Sequence, residues 1–143
     1  MKRRNLTISL IAVSLAGCDK EAEARKVATR QRLVGTWLRE ADQDGIRIRR
    51  VVSLAADKSF RELAKITSPD GSVVTESHSG DWFFDGTNFK RKYTHLDGKP
   101  LSSSRMTFAT FRLEPSTADE IVGVDDVRGL RVTYRRVPPG TTP

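Results

Sequence analysis

Four Asp-Gly dipeptides, Asp44-Gly45, Asp70-Gly71, Asp85-Gly86 and Asp97-Gly98, punctuate the middle of this chain. Asp and Gly tolerate the positive φ that tight hairpins need, so each pair marks a chain reversal. Around these marks lie β-rich runs over residues 33–40, 46–54, 58–67, 72–84, 87–95, 104–113, 119–125 and 129–137. The 72–84 run is long, and Gly80 offers a place to bend. Short loops between about eight strands predict an all-β, antiparallel up-and-down meander. With no helix to cover a sheet, closure into a barrel is the simplest way to remove its edges.

The flanks read differently. Residues 19–32 are rich in Ala, Glu, Arg and Lys, which favour helix. Few apolar residues give that helix a buried side, so it is expected to be a short, partly frayed spacer. Residues 138–143, Pro-Pro-Gly-Thr-Thr-Pro, read as a disordered tail.

The N-terminus carries an address. Lys2, Arg3 and Arg4 precede ten uncharged residues from Leu6 to Leu15. Ten residues span about 15 Å of helix, half of a bilayer core, which is too short to cross a membrane. A basic start, a short apolar core and small residues at its end are the layout of a secretory signal. Leu15-Ala16-Gly17-Cys18 resembles the lipobox of bacterial lipoproteins, and Cys18 is the only cysteine. The resemblance implies cleavage after Gly17 and lipidation of Cys18. The chain then divides into a signal peptide (1–17), a lipidated spacer (18–32), a barrel domain (33–137) and a tail (138–143). Asp19 resembles a residue that retains such proteins in the inner membrane of enteric bacteria. It leans the expected address, lipid-anchored and facing the periplasm, toward that membrane, with the outer membrane left open.

Removing residues 1–17 lowers the formal charge from +7 to +4. The remaining basic residues are scattered, which describes a solvated surface rather than a nucleic-acid site. An exported, tethered protein is also not expected to meet nucleic acid.

Gly35-Thr36-Trp37 opens the first strand and resembles the Gly-x-Trp signature of lipocalin-like barrels. In that family the Trp closes the barrel floor and a basic residue from the last strand packs across it. The period of two along Leu130 to Arg136 makes Arg136 the first candidate for that role and Arg135 the second. The resemblance therefore implies a structural closure by Gly35, Trp37 and Arg136. Short staves also imply a barrel filled by its own side chains.

The search for chemistry finds neither a catalytic nor a metal motif. His78 and His95 sit outside every familiar catalytic setting, and Asp42-Gln43-Asp44-Gly45 lacks the glycine position and closing Glu of a calcium loop. The chain is expected to bind rather than to catalyse, without a cofactor. Charged residues on inward parities are of more interest. Arg50 falls in line with Ile48 and Val52, Glu62 with Phe60 and Ala64, and Arg91 with Phe89, Tyr93 and His95. Inside a barrel an unpaired arginine is costly. Glu62 or a ligand carboxylate would relieve that cost, as in fatty-acid-binding relatives of lipocalins. A β-bulge at Arg50-Val51-Val52, the simpler expectation, would instead flip the parity and return the arginine to solvent.

Two functions follow. The first is a carrier of a small amphiphilic or hydrophobic ligand, using Arg50, Glu62, Arg91 and Tyr93, with Trp82, Phe84, Phe89, Met106 and Phe108 as its lining. The second is a filled barrel that presents Arg47, Arg49, Lys90 and Lys92 to a periplasmic protein.

Overall fold

The computed structural model describes residues 16–105 and 107–143; the leader through Leu15, and Met106, lie outside them. Helix α1 (Ala16–Leu33) leads into β1 (Gly35–Gln43), β2 (Ile46–Leu54), β3 (Ser59–Thr67), β4 (Val73–Phe84) and β5 (Asn88–Leu96). A two-residue β6 (Lys99–Pro100) and one 3-10 turn (Ser103–Arg105) follow, then β7 (Phe108–Glu114), β8 (Glu120–Asp125) and β9 (Arg131–Val137). Each long strand pairs antiparallel with the next, β5 pairs with β7, and β9 returns to β1. The result is a closed eight-strand up-and-down barrel, with β6 folded back on the end of β5.

Asp44-Gly45 and Asp97-Gly98 have positive φ at both residues, the geometry of tight hairpin turns. The sixth run is shorter than the sequence predicts. Its first residues form the 3-10 turn, and the strand begins at Phe108.

At one end of the barrel Trp37, Leu54, Phe84, Phe89 and Ile121 pack together, and Leu33 at the end of α1 is fully buried among them. Helix α1 is thus docked at its C-terminal end, not a free spacer. Arg30 donates to the Phe84 carbonyl (3.2 Å), and Arg32 to the Ser116 (2.8 Å) and Thr117 (3.1 Å) carbonyls. Hydrogen bonds from two arginines to backbone carbonyls stand where most docked helices have an apolar stripe. The tail also departs from expectation: Thr141 donates its N–H and hydroxyl to the Pro138 carbonyl, and Thr141 and Pro143 are half-buried.

The pairing of β2 with β3 is continuous through Arg50, Val51 and Val52, so the bulge expected there is absent. The irregularity lies between β4 and β5. Ser79 faces His95 while Gly80 faces Tyr93, which leaves Thr94 without an opposite number. A Cβ at Gly80 would run into the Lys92 carbonyl oxygen, so only glycine lets the two strands meet there. Past the shift, Leu96 takes the inward position opposite His78 and His95 loses it.

Candidate functional site

Halfway up the barrel the inner face changes from apolar to charged. Glu62 on β3 is 2% exposed and Arg91 on β5 is 1% exposed. Arg91 Nη1 donates to Glu62 Oε2, and Arg91 Nη2 donates to the Tyr134 hydroxyl at 3.2 Å. The Tyr93 hydroxyl donates to the same carboxylate oxygen at 3.2 Å. The Arg91 guanidinium also lies 5.5–6.0 Å from the ring centres of Phe60, Phe89, Tyr93, Phe111 and Tyr134. Burial works against charge on Arg91, but Tyr134, Tyr93 and Glu62 outweigh it and hold the group above its ordinary range. Burial likewise pushes the Tyr93 phenol above its ordinary value. The continuous β2–β3 register keeps Arg50 inward, with Nε 3.2 Å from Glu62 Oε1 and the side chain 28% exposed. Arg50, Glu62, Arg91 and Tyr93 are therefore one cluster.

Above the cluster the barrel is open. Arg50, Glu62, Glu76, His78, Tyr93, Leu96, Leu101, Arg105 and Thr107 line a cleft of about 460 Å³ at its mouth. His78 Nδ1 lies 3.9 Å from Glu62 Oε1. Among the described residues, three buried polar atoms near this level have no hydrogen-bond partner: Arg50 Nε, Arg91 Nε and His78 Nδ1. Arg50 Nε is near Glu62 but not aligned to donate to it. Unsatisfied buried polar atoms are rare in folded proteins and call for a partner. Below the cluster the space left between Trp37, Val52, Leu54, Phe89, Arg91, Ile121 and Tyr134 is about 10 Å³, room for one water at most.

Two expected groupings do not form. Trp82, Phe84 and Phe89 are packed core rather than cavity lining, Phe108 is 55% exposed, and Met106 lies outside the described residues. Arg47 and Arg49 stand on β2, with β3 and β4 between them and Lys90 and Lys92 on β5, so the four make no single patch. Arg49 is also paired with Glu40, and Lys90 with Asp85.

The sequence reading missed Arg39. It shares the inward parity of Trp37, stands directly opposite Arg50 in the β1–β2 register, and lies 6.0 Å from the centre of the Tyr134 ring. The period of two from Trp37 was sufficient to find it.

At the floor, Arg136 lies 4.1 Å from the centre of the Trp37 ring. It donates to the carbonyls of Arg32 (2.7 Å), Val34 (3.1 Å) and Ala118 (3.1 Å). A Cβ at Gly35 would overlap its guanidinium, and φ there is +142°. The Trp37 indole donates to the Leu33 carbonyl at 2.8 Å, joining the helix to the same closure.

Cys18 is exposed in the first turns of α1. Among the described residues, no helix is long and apolar enough to cross a membrane, and no group of three or more His, Cys, Asp or Glu is placed to hold a metal.

No protein-family model matches the chain and no curated protein matches it. Among solved structures it is similar to a de novo designed fluorescence-activating β-barrel, with 18% sequence identity and a TM-score of 0.40. That alignment covers 76% of this chain and 97% of the designed one.

Proposed function

We propose that this barrel is a binding module for a small anionic amphiphile, seated in the cleft at its open end. The observation that carries the reading is the placement of Arg50 Nε and His78 Nδ1 in the lining of that cleft, buried and without hydrogen-bond partners among the described residues. A guanidinium N–H left unpaired at such a depth gains most from a ligand that accepts from it. The filled lower barrel limits the ligand to the cleft. Its charged end then meets the arginines and its apolar part meets Leu96 and Leu101 at the lip.

The rest of the reading comes from the leader and the floor. The basic start, apolar run and Leu15-Ala16-Gly17-Cys18 support a bacterial lipoprotein anchored through Cys18 in the cell envelope. Two or more acyl chains are enough for a stable tether. The Gly35, Trp37 and Arg136 closure supports a lipocalin-like ancestry. The activity proposed is binding, not catalysis.

Native mass spectrometry of the protein purified from its own envelope, followed by denaturing extraction, tests the reading. A stoichiometric small anion that is lost in a folded Arg50→Ala variant supports it. A barrel that stays empty and takes up no anionic amphiphile on titration removes it. One observation favours a second reading, a protein-interaction module: the interior below Arg91 has no room for a ligand. A stoichiometric protein captured equally by the wild type and Arg50→Ala would favour that alternative.

A further inference from the structure

The cleft proposed to take the anion is itself neutral. Two arginines, Arg50 and Arg105, and two carboxylates, Glu62 and Glu76, stand in its lining. An anion entering alone would leave the loaded cleft with one uncompensated negative charge, which is costly in a partly desolvated site. The lining holds one more side chain able to gain positive charge, His78. From its placement we infer that the barrel binds its anionic ligand together with a proton, which His78 carries; the inference rests on the ligand-binding reading above.

His78 stands directly opposite Glu62 in the β3–β4 register. Its Nδ1 is buried, 3.9 Å from Glu62 Oε1, and without a hydrogen-bond partner among the described residues. The groups around it come from each neighbouring element. Glu62 faces it from β3, with Arg50 of β2 on the far side of that carboxylate. Glu76 shares its face of β4, and Arg105 lines the cleft from the turn before β7. On β5 the Tyr93 ring lies edge-on to it, with ring centres 5.4 Å apart. Asp97, just past β5, is turned to the Ser77 N–H.

Glu62 Oε2 already accepts from Arg91 and the Tyr93 hydroxyl. Oε1 is less well held, since Arg50 Nε is 3.2 Å away but not aligned to donate. A protonated imidazole carries an N–H on both ring nitrogens. Moving Nδ1 about 1 Å closer would give Oε1 a charge-assisted hydrogen bond. Arg50 can then turn its fork to the ligand. The charges close, with Arg50, Arg105 and His78 against Glu62, Glu76 and the anion. Proton and anion therefore each raise the affinity for the other. Histidine is the side chain that changes charge between pH 5 and 8, and the chain has two. His95 has left the inward face and keeps Nδ1 2.9 Å from the Thr94 hydroxyl, so it serves as the control.

The test is calorimetric titration of the full chain with octyl sulfate, whose single charge is constant between pH 7.5 and 5.5. Binding is expected to be at least about fivefold tighter at pH 5.5, within the roughly hundredfold that one proton allows over two pH units. Repeating the titration at pH 6.5 in two buffers of different ionisation heat counts the protons taken up. The wild type and His95→Gln should both take up part of one proton. His78→Gln should bind equally at both pH values and take up none. Near-UV circular dichroism verifies folding, His78→Asn replaces a His78→Gln that does not fold, and the wild-type proton count needs no variant. Wild-type binding that is no tighter at pH 5.5 and takes up no proton overturns the inference and leaves the ligand reading standing. So does a linkage that survives His78→Gln. Failure of both octyl sulfate and octanoate to bind at either pH removes the ligand reading itself.

Discussion

Replacing Arg91 by methionine leaves Glu62 buried without its main partner. Glu62 keeps Arg50 Nε at 3.2 Å and the Tyr93 hydroxyl at 3.2 Å, so the remaining charge is partly held. Breaking a buried ion pair costs about 3–5 kcal/mol, and these two partners place Arg91→Met near the lower figure. Glu62→Leu is the worse change. It strands a guanidinium that is 1% exposed among five rings, with the Tyr134 hydroxyl as its neutral partner, and belongs near the upper figure. The double variant removes both charges and fills the space with apolar atoms. It should lie within about 2 kcal/mol of wild type, because apolar replacement of a whole buried pair is close to neutral. Urea unfolding at pH 7 measures all four proteins. With a slope of about 1–3 kcal/mol per molar, Arg91→Met should lower the midpoint by roughly 1–3 M, and the cycle should give a coupling of at least about 2 kcal/mol. An additive double variant would refute the reasoning, since the two groups would then be stabilised by something other than each other.

Further outcomes follow from the same geometry. Tyr93 should remain un-ionised in the native Tyr134→Phe variant at pH 11, read as absorbance at 295 nm. The neutral phenol is favoured on folding, so stability should fall as pH rises above the ordinary tyrosine value of 10.0. Asp85 accepts the Asn88 and Thr87 N–H groups, which hold its carboxyl well below the usual range. Its contribution is present above the unfolded value of 3.8 and is lost as pH falls below it, so Asp85→Asn should flatten the acid limb of a thermal-melt profile. Gly80→Ala should cost several kcal/mol or prevent folding, as shown by soluble yield and circular dichroism, because its Cβ meets backbone rather than a movable side chain. Arg136→Met should cost about 2–4 kcal/mol in urea unfolding through lost charge-assisted hydrogen bonds, and should change the emission of Trp37.

The strands were legible because turn chemistry is local: Asp-Gly pairs fix where the chain reverses, whatever lies across the barrel. The inward arginines were half legible. Parity placed Arg50, Glu62 and Arg91 on one face, but whether a bulge intervened depended on the facing strand, and the bulge proved to be at Gly80. That shift also moved Leu96 into the cleft and His95 out of it, which no reading of β5 alone could reveal. The docking of α1 was hidden for a different reason. Hydropathy registers apolar stripes, whereas Arg30 and Arg32 hold this helix by its neighbours' carbonyl oxygens.

The pairing of β1 with β9 spans only Thr36 to Leu38 against Arg135 to Val137, while β1 and β2 match over nine positions. It joins segments about a hundred residues apart, with Arg136 reaching a carbonyl 104 positions away. Such a closure makes few pairings at a high cost in chain entropy, so it should be the last part of the barrel to form and the first to open. While it is open, two strand edges are free to pair with those of another copy. The arginine clasp at Gly35 and Trp37 is therefore also a guard against strand exchange, and a chain lacking it should show its fault first as dimers and aggregates during refolding.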